Sequence, residues 1–526
     1  MATCGLLYHE GAKIILVRGT TLKGPEERVL SLLRFLAAED LSRCSYVRAL
    51  SIEIETMPES VAEGLIPILP RMSSLEFLSA TPEKMLESYP DLFQAFAAIR
   101  SLRRLEVIGV GEHSIRLIQA LQSKLVSAVL YFSYDTHLRN TSHPIQMLQG
   151  SASTLEQLTC GGFVDISAEP QLMALTPTTA SKITYPKMRS LALVNNLVPH
   201  PIPYIRSFPN LTHLSIKSLH TVPLDDALGD LVHIRRRLNL IMQEQDEDGD
   251  ARSWDHLEHF FGRLVDLWAL GLTCQIHILS LEDRPGRRVP SALADVLRYA
   301  RPSELQLSFY GGSLQGVIAA DFLSALRTAG AAHLKRLIVN VDLMAEDRDV
   351  DAARILANFE TAIAGLQIQQ LKLWVADIAL SDSEETPGRF TSEVAEHDAD
   401  TLTPSGTYTE ASSLDGTARL CACVGSVTHA SLCMAERTLA AFDVEAYTHR
   451  LVTAAPAIEN MVISIETPRR CGGDNRFAVF GIEHGPAPTW HTEGKIVYQR
   501  VSAAKWVEIM RDRAMLSFMS GHRQAA

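Results

Sequence analysis

The sequence predicts an α/β fold in which short parallel strands line a concave face and helices cover a convex face. Three observations lead to this prediction. A phrase with apolar residues at its first, fourth and sixth positions recurs along the chain, as in Leu211, Leu214 and Ile216. The interval after each phrase can hold about one helix. One strand and one helix cannot bury their apolar faces alone, so successive units must stack as a solenoid.

The fourth residue of each phrase, here called the anchor, measures the spacing of the units. Consecutive predicted anchors lie 23 to 38 residues apart, and this spacing is centred near the leucine-rich-repeat period. We therefore predict an irregular, curved leucine-rich-repeat solenoid over residues 49–380. The alternative is an ordinary large α/β protein, in which buried strands and amphipathic helices also alternate. The predicted anchors are Leu50, Leu78, Leu105, Val129, Leu158, Leu191, Leu214, Leu238, Leu267, Leu305, Leu337 and Leu371.

Residues 1–48 are predicted to form an N-terminal cap or a first repeat. In this interpretation residues 14–19 (IILVRG) form a first strand, residues 28–37 form its helix and residues 47–52 form the next strand. The apolar residues then alternate between a short extended run and a helical stripe, as they do in the later units.

Two helices are predicted inside the solenoid from the spacing of their apolar residues. Residues 114–125 (SIRLIQALQSKL) carry an apolar stripe of helical period, and residues 317–330 carry another that Gly330 would end. Each unit is therefore expected to contain a strand, a turn, a helix and a return loop.

The composition changes after residue 380. Residues 381–419 are rich in acidic residues, Ser, Thr, Gly and Pro, which predicts a flexible acidic insertion or linker. Residues 420–526 are predicted to hold the last repeat, anchored at Met461 and Ile463, and a C-terminal cap. The cap would consist of strands over 476–483 and 495–500 and a final helix over 502–519, and it would cover the last unit's apolar face.

Charge and hydropathy restrict the classes of partner. The net charge of -12 argues against nucleic acid or an anionic membrane as the main partner, because both require clustered Lys and Arg. No segment offers about twenty uninterrupted apolar residues, and the N-terminus lacks the order of a signal peptide. Together with eight scattered cysteines that are expected to be reduced, this predicts a cytoplasmic or nuclear protein.

Two loops resemble ligand sites only in part. Residues 108–114 (IGVGEHS) follow a predicted strand and open a predicted helix, but Ser114 stands where a dinucleotide loop has its third glycine. Residues 246–250 (DEDGD) are acidic, yet Ala251 and Leu257 occupy the glycine and glutamate positions of a calcium loop. We interpret the first as a repeat turn and the second as a solvated insertion.

Four side chains could in principle bind zinc as a tetrahedral set, namely Cys421, Cys423, His429 and Cys433. Their spacing does not match a zinc finger and their surroundings are apolar, so buried thiols are the favoured interpretation. No nucleophile elbow, P-loop, HExxH motif or framed pair of carboxylates occurs in the chain. The sequence therefore predicts no enzyme activity, no metal and no cofactor, and an enzyme with an irregular α/β fold is the remaining alternative.

Three phrases resemble the divergent leucine-rich-repeat proteins of mushroom-forming fungi, many of which belong to the F-box family. They are SRCSYVRALSIEIE (42–55), FPNLTHLSIKSL (208–219) and AAHLKRLIVNV (331–341), and the resemblance covers roughly residues 10–380. It implies a non-catalytic protein-interaction solenoid. In that family an N-terminal F-box docks a Skp1-type adaptor and delivers the target bound by the repeats to a cullin ubiquitin ligase.

Residues 25–47 carry only part of the F-box order. Pro25, Val29 and Leu36 fit, but Gly24 stands where a leucine is expected, and the phrase ALSIEI replaces the tryptophan-bearing second half. Two alternatives therefore stay open, a substrate receptor that contacts a Skp1-type adaptor and a repeat scaffold that has no link to a ligase.

The predicted binding surface consists of strand residues that flank the anchors and point away from the core. A protein partner is expected on this concave face. Tryptophans in such positions are typical interface anchors, although they can equally fill gaps under loops. The predicted contact residues are Glu106, His213, Ser215, Lys217, Trp268, Gln306, Ser308, Arg336, Lys372 and Trp374.

Overall fold

The structure is a computed structural model. It describes residues 2–54, 56–132, 143–162, 183–194, 201–217, 226–244, 253–283, 292–310, 325–377, 432–466, 475–481 and 496–501.

The described strands form one open sheet of sixteen strands whose spatial order follows the order of the chain. Strands β1 to β14 pair in parallel, and β15 and β16 continue the sheet in antiparallel pairing. The bounds are β1 Thr20–Lys23, β2 Ala49–Glu53, β3 Phe77–Ala80, β4 Arg104–Val110, β5 Ser127–Phe132, β6 Gln157–Gly161, β7 Ser190–Val194, β8 His213–Lys217, β9 His256–Arg263, β10 Gln275–Asp283, β11 Glu304–Tyr310, β12 Arg336–Leu343, β13 Gln370–Asp377, β14 Asn460–Glu466, β15 Asn475–Gly481 and β16 Ile496–Val501.

In the described residues, helices lie between most of the successive parallel strands, as the sequence predicts for a mixed α/β protein. Neighbouring helices contact one another and form a layer against the sheet. Their bounds are α1 Ala2–Val17, α2 Glu26–Ala37, α3 Glu59–Leu65, α4 Pro82–Ser88, α5 Pro90–Ala97, α6 Glu112–Ala120, α7 Pro144–Met147, α8 Ile202–Ser207, α9 Asp226–Glu244, α10 Leu264–Leu270, α11 Ala292–Ala300, α12 Ala352–Ile363, α13 Met434–Ala441 and α14 Val444–Ala454.

The repeated phrase determines the register of the parallel strands. From β2 to β14 the anchor of each strand pairs with the anchor of the next, as Leu50 pairs with Leu78 and Leu78 with Leu105. The first, fourth and sixth residues of these phrases are all buried. The observed anchors are Leu50, Leu78, Leu105, Ala128, Leu158, Leu191, Leu214, Phe260, Leu279, Leu305, Leu337, Leu371 and Met461.

Burial of these three positions explains why the phrase mixes a spacing of three with a spacing of two. The fourth and sixth residues point to the same side of the strand, because side chains alternate along extended backbone. The first residue lies in the preceding turn and enters the same core. One continuous apolar core consequently runs from Leu16 before the first strand to Ile465 in β14.

Two predicted anchors do not lie in strands at all. Leu238 lies in α9 and Leu267 lies in α10, so neither belongs to a strand. The strands of this region are β9 and β10, whose anchors are Phe260 and Leu279. A leucine spacing of three fits a helical turn as well as a strand entry, and in α10 the apolar residues continue with helical spacing.

The predicted register of β5 is shifted by one residue. Ala128 and Leu130 are buried and aligned with the neighbouring anchors, whereas the predicted pair Val129 and Tyr131 is only half-buried and points to the other side. Leu125, three residues before Ala128, is the buried first residue of this phrase. A small residue thus occupies an anchor position beside larger apolar neighbours.

The N-terminal prediction is partly wrong. Residues 14–17 end helix α1, and the first strand is β1, which pairs in parallel with β2. Helix α2 and strand β2 agree with the helix predicted over 28–37 and the strand predicted over 47–52. The apolar run IILV fits either secondary structure, and it lies in the last turn of a helix here.

Helix α6 matches the start of the helix predicted over 114–125 and ends at Ala120. Of the helix predicted over 317–330, residues 317–324 lie outside the described residues, and Ala325–Arg327 and Ala329–Ala331 form short 3-10 turns, so Gly330 does not follow a continuous α-helix there. This glycine lies in the short 3-10 turn Ala329–Ala331, where a Cβ atom would come within 2.2 Å of the carbonyl oxygen of Leu297. Glycine is required there because two backbone segments touch.

At the C-terminal end, Met461 and Ile463 are buried strand residues of β14, as predicted. Strands β15 and β16 correspond to the predicted closing strands. The linker predicted over 381–419 and the final helix predicted over 502–519 lie outside the described residues. Among the helices that are described, none combines the length and apolar character needed to cross a bilayer.

Candidate protein-interaction surface

The strand residues that alternate with the buried positions form a second face of the sheet, here called the open face. On each strand it includes the residue before the anchor and the residue after it, such as His213 and Ser215 on β8. Most of these side chains are exposed or half-buried. Equivalent residues on adjacent strands lie about 4.8 Å apart, so the open face presents continuous rows of side chains.

All of the predicted contact residues except Trp268 lie on the open face, where Ser308 is buried and the others are exposed or half-buried. Eight of them lie on strands β8, β11, β12 and β13, namely His213, Ser215, Lys217, Gln306, Ser308, Arg336, Lys372 and Trp374. Glu106 lies on β4, apart from this group. Because β8 to β13 are successive strands, these eight positions form one region of the surface.

Arg336 joins three strands of this region. One guanidinium NH group donates to Oε2 of Glu304 on β11 at 2.9 Å, and Nε donates to Oε1 of Gln370 on β13 at 2.8 Å. All three residues occupy the position before the anchor on their strands. The charge-assisted bonds fix the guanidinium between its neighbours.

A second chain of contacts runs over β8 to β11. The rings of His213 and His259 meet edge to face with centroids 6.1 Å apart. Nε2 of His259 lies 3.1 Å from Oγ of Ser280, and Ser280 donates to Oε1 of Gln306 at 3.4 Å. Burial lowers the pKa of His259, the positive charge of a protonated His213 lowers it further, and Glu304 partly opposes both effects.

Two further contacts extend the network along the same strands. The ammonium group of Lys217 lies 4.6 Å from the ring centroid of Phe261, within cation–π distance. Asn340 on β12 donates to Oγ of Ser308 at 3.2 Å. In the strand register Asn340 is adjacent to Trp374 on β13. Polar, cationic and aromatic groups are therefore held together on one surface.

Six residues of this network are not among the predicted contact residues, although each alternates with the buried residues of its strand. Leucine spacing does not predict β9 and β10, and the predicted set takes only one flank of the anchors on β11 to β13. The missed residues are His259, Phe261, Ser280, Glu304, Asn340 and Gln370.

The prediction that Trp268 lies on the binding face is wrong. It lies in α10 and is buried, with its indole Nε1 donating to Oδ2 of Asp295 at 3.1 Å. The guanidinium carbon of Arg236 lies 4.6 Å from the centroid of the indole ring. The ring of His233 meets the indole edge to face, with ring centroids 4.8 Å apart. Trp268 therefore fills the junction of α9, α10 and α11.

The low pKa of His259 predicts a pH effect on stability. Between that pKa and about 6.5, the value of an exposed histidine, the unfolded chain binds more protons than the folded one. The free energy of unfolding is therefore expected to rise with pH in this interval, and substitution His259→Gln should remove this part of the rise. Denaturant unfolding of both proteins between about pH 5 and 7 measures the difference.

Titration of the His259 ring by NMR gives an independent measurement. We expect its midpoint below about 6.5, since burial disfavours the imidazolium. A midpoint above that value, together with the same pH dependence of unfolding in His259→Gln, would contradict the description of this site.

The glycine loop at residues 108–114 is occupied by a side chain of the protein itself. The carboxylate of Glu83 accepts hydrogen bonds from the backbone NH groups of Gly111, His113 and Ser114 at 2.9–3.1 Å. Oγ of Ser114 donates to the same carboxylate at 2.6 Å. The N-terminus of α6 thus binds an internal anion where a dinucleotide loop would bind a phosphate.

A Cβ atom on Gly111 would lie 2.4 Å from Cδ of Glu83, which explains the glycine.

Of the four candidate zinc ligands, only Cys433 is among the described residues. Burial raises its pKa, and it caps α13 together with Glu436. Within the described part of the chain, no three His, Cys, Asp or Glu side chains are arranged to bind a metal ion. Residues 246–250 lie outside that part.

No protein-family model and no curated protein matches the chain. The sheet and the side chains on its open face are therefore the features that indicate a function.

Proposed function

We propose that this chain is a leucine-rich-repeat solenoid that binds a partner protein on its open face, over strands β8 to β13. The observation that carries the proposal is the cross-strand network of Arg336 and His259, which orders polar side chains on the face of the sheet opposite the buried apolar core.

The repeat assignment rests on the phrase and on its burial. Every parallel strand from β2 to β14 has three buried residues with the spacing LxxLxL, and the strands follow chain order. This arrangement is typical of leucine-rich repeats, in which each unit contacts only its neighbours. The resemblance to fungal repeat proteins agrees with the same assignment.

The chemistry of the open face favours a protein as the partner. Its rows combine Trp374, Phe261, Arg336, Lys217 and the two histidines, and aromatic residues and arginine are enriched at protein interfaces. Hydrogen bonds between strands hold several of these groups in place before binding, which lowers the entropy lost on association. Trp374 is half-buried and offers an aromatic anchor at one end of the region.

The N-terminal region favours a scaffold over a ligase receptor. The F-box-like residues Val29 and Leu36 are buried in the core cluster together with Leu33, and β1 joins the sheet directly. Side chains buried against the first units are not free to dock an adaptor. A Skp1-type contact remains the alternative that the family resemblance implies.

Affinity purification with the full chain tests both parts of the proposal. Wild-type chain, Arg336→Glu and Trp374→Ala would be compared by quantitative mass spectrometry of the retained proteins. The matched control is Arg354→Glu, which reverses an exposed charge on α12. We expect a set of proteins that both open-face variants lose about tenfold or more and that the control retains.

Retention of the same proteins by all four chains would contradict binding on the open face. A separate binding measurement with a purified Skp1-type adaptor distinguishes the two versions of the function. No retention is expected for the scaffold, whereas stoichiometric binding would support the receptor.

A further inference from the structure

A basic pocket of about 430 Å³ lies at the edge where β2 to β5 begin, separate from the interaction surface described above. It is formed by loops that enter these strands. Its lining residues are Arg48, Ser73, Ser74, Glu76, Arg100, Ser101, Leu102, Arg103 and Lys124.

The repeat geometry explains why cations meet at this edge. In these units, the backbone NH groups of two successive residues donate to one backbone carbonyl of the preceding unit. The NH groups of Glu76 and Phe77, for example, donate to the carbonyl oxygen of Arg48. In the next unit Arg103 and Arg104 bind the oxygen of Glu76. Arg48, Glu76 and Arg103 are therefore stacked in one row, with steps of about 4.8 Å.

The row and its neighbours carry an excess of positive charge. The pocket has four cationic side chains and one carboxylate, which gives a formal charge of +3 in a chain whose net charge is -12. Glu76 pairs with Arg48 at 3.2 Å. Among the described residues no carboxylate pairs with Arg100, Arg103 or Lys124.

Two of the remaining cations, Arg100 and Lys124, are held in place by neutral groups. Nε of Arg100 donates to Oε1 of Gln122 at 2.8 Å, and the ammonium of Lys124 donates to the carbonyl of Gly150 at 2.7 Å. Each retains further donors, since a guanidinium has five NH groups and an ammonium three. Ser101 is oriented by its bond to the carbonyl of Leu75 at 2.8 Å.

We propose that this pocket binds a phosphate monoester. Guanidinium and ammonium groups form charge-assisted bonds with phosphate oxygens, and the planar guanidinium matches two of these oxygens at once. The hydroxyls of Ser73 and Ser74, which also line the pocket, add neutral donors. A dianionic group neutralises most of the +3 charge, so repulsion among the cations decreases on binding.

A polymer of phosphodiesters fits the edge less well. In the next two units along the sheet, Val126 and then Glu156 occupy the position that is equivalent to Arg103. A nucleic-acid strand needs a longer basic track, because its affinity depends on several neutralised phosphates. The charge is confined to a site for one group.

Isothermal titration calorimetry of the full chain with N-acetyl-phosphoserine N-methylamide, AMP, inorganic phosphate and oligothymidylate tests the proposal. We expect saturable binding of at least one monoester that weakens as ionic strength rises. The variants Arg103→Glu and Arg100→Glu should weaken it about tenfold or more, and Arg354→Glu should leave it unchanged. Circular dichroism checks that each variant is folded, and Lys124→Gln provides a milder third change.

The probes also separate the possible sources of the group. Tighter binding of the phosphoserine compound indicates a phosphorylated protein segment, and tighter binding of AMP indicates a free nucleotide; both support the proposal. It would be overturned by absence of monoester binding, by equal affinity in the folded Arg103→Glu and Lys124→Gln variants, or by preferential binding of oligothymidylate. None of these results depends on the open face, so the proposed protein-binding role is tested separately.

Discussion

Substitution Trp268→Ala is expected to lower the free energy of unfolding by about 3–5 kcal/mol. The indole is buried where α9, α10 and α11 meet, and its removal leaves a cavity that three packed helices cannot close. Chemical denaturation of the full chain, followed by circular dichroism, measures the loss. The effect should be seen as a lower denaturation midpoint with little change in slope.

The expected loss of stability exceeds the free energy of the lost apolar burial, because Trp268 also contacts two charged side chains. Arg236 donates to its backbone oxygen at 2.6 Å and stacks on its ring, while Asp295 accepts from the indole NH. A guanidinium nitrogen of Arg236 lies 3.7 Å from Oδ2 of Asp295. Burial lowers the pKa of Arg236 and the negative charge of Asp295 raises it. Removal of the ring would leave both charges with fewer partners.

Trp374→Ala is the matched control for this prediction. The same side chain is removed, but from the half-buried open face, and we expect a loss of about 1 kcal/mol or less. The two tryptophans should thus behave oppositely, with Trp268 needed for stability and Trp374 for partner binding. Equal stability losses in the two variants would contradict the assignment of Trp268 to the core and Trp374 to the surface.

The sequence could predict most of the sheet because its register depends on local spacing. Wherever the phrase LxxLxL was recognised, as around Leu214 and Leu337, the buried side chains and the open-face neighbours follow directly from strand alternation. The positions of His213, Lys217 and Arg336 were predictable for that reason. Their hydrogen bonds were not, since those depend on which side chains stack beside them from units 21 to 46 residues away.

The region around α9 could not be predicted from apolar spacing alone. Its informative pattern is polar: Arg236, Asn239 and Gln243 recur with helical spacing. Their side chains donate to the carbonyls of Trp268, Ala269 and Leu270 at the end of α10. Unpaired carbonyls at a helix terminus need such donors. Leu238 and Leu240 in the same segment also fit the strand phrase, so leucine spacing predicts a strand there and does not predict β9 and β10.

Substitution Leu214→Ala is expected to destabilise the protein by about 2–5 kcal/mol, with a similar cost for Ile216→Ala. Both side chains are almost fully buried in the middle of the sheet. Leu214 pairs with Leu191 on one side and Phe260 on the other, so a cavity at this anchor is shared by three units. Denaturant unfolding measures the cost, and hydrogen exchange shows where protection is lost.

Ser215→Ala, placed between these two residues on the open face, is the control and should change stability by about 0.5 kcal/mol or less. In a stack where each unit contacts only its neighbours, loss of protection in Leu214→Ala should be greatest in β7, β8 and β9 and should fade along the sheet. Uniform loss across all strands would indicate one cooperative globule instead of stacked repeats. An unchanged unfolding curve for Leu214→Ala would show that the anchor is not in a core, and the register from which the open face is deduced would fail with it.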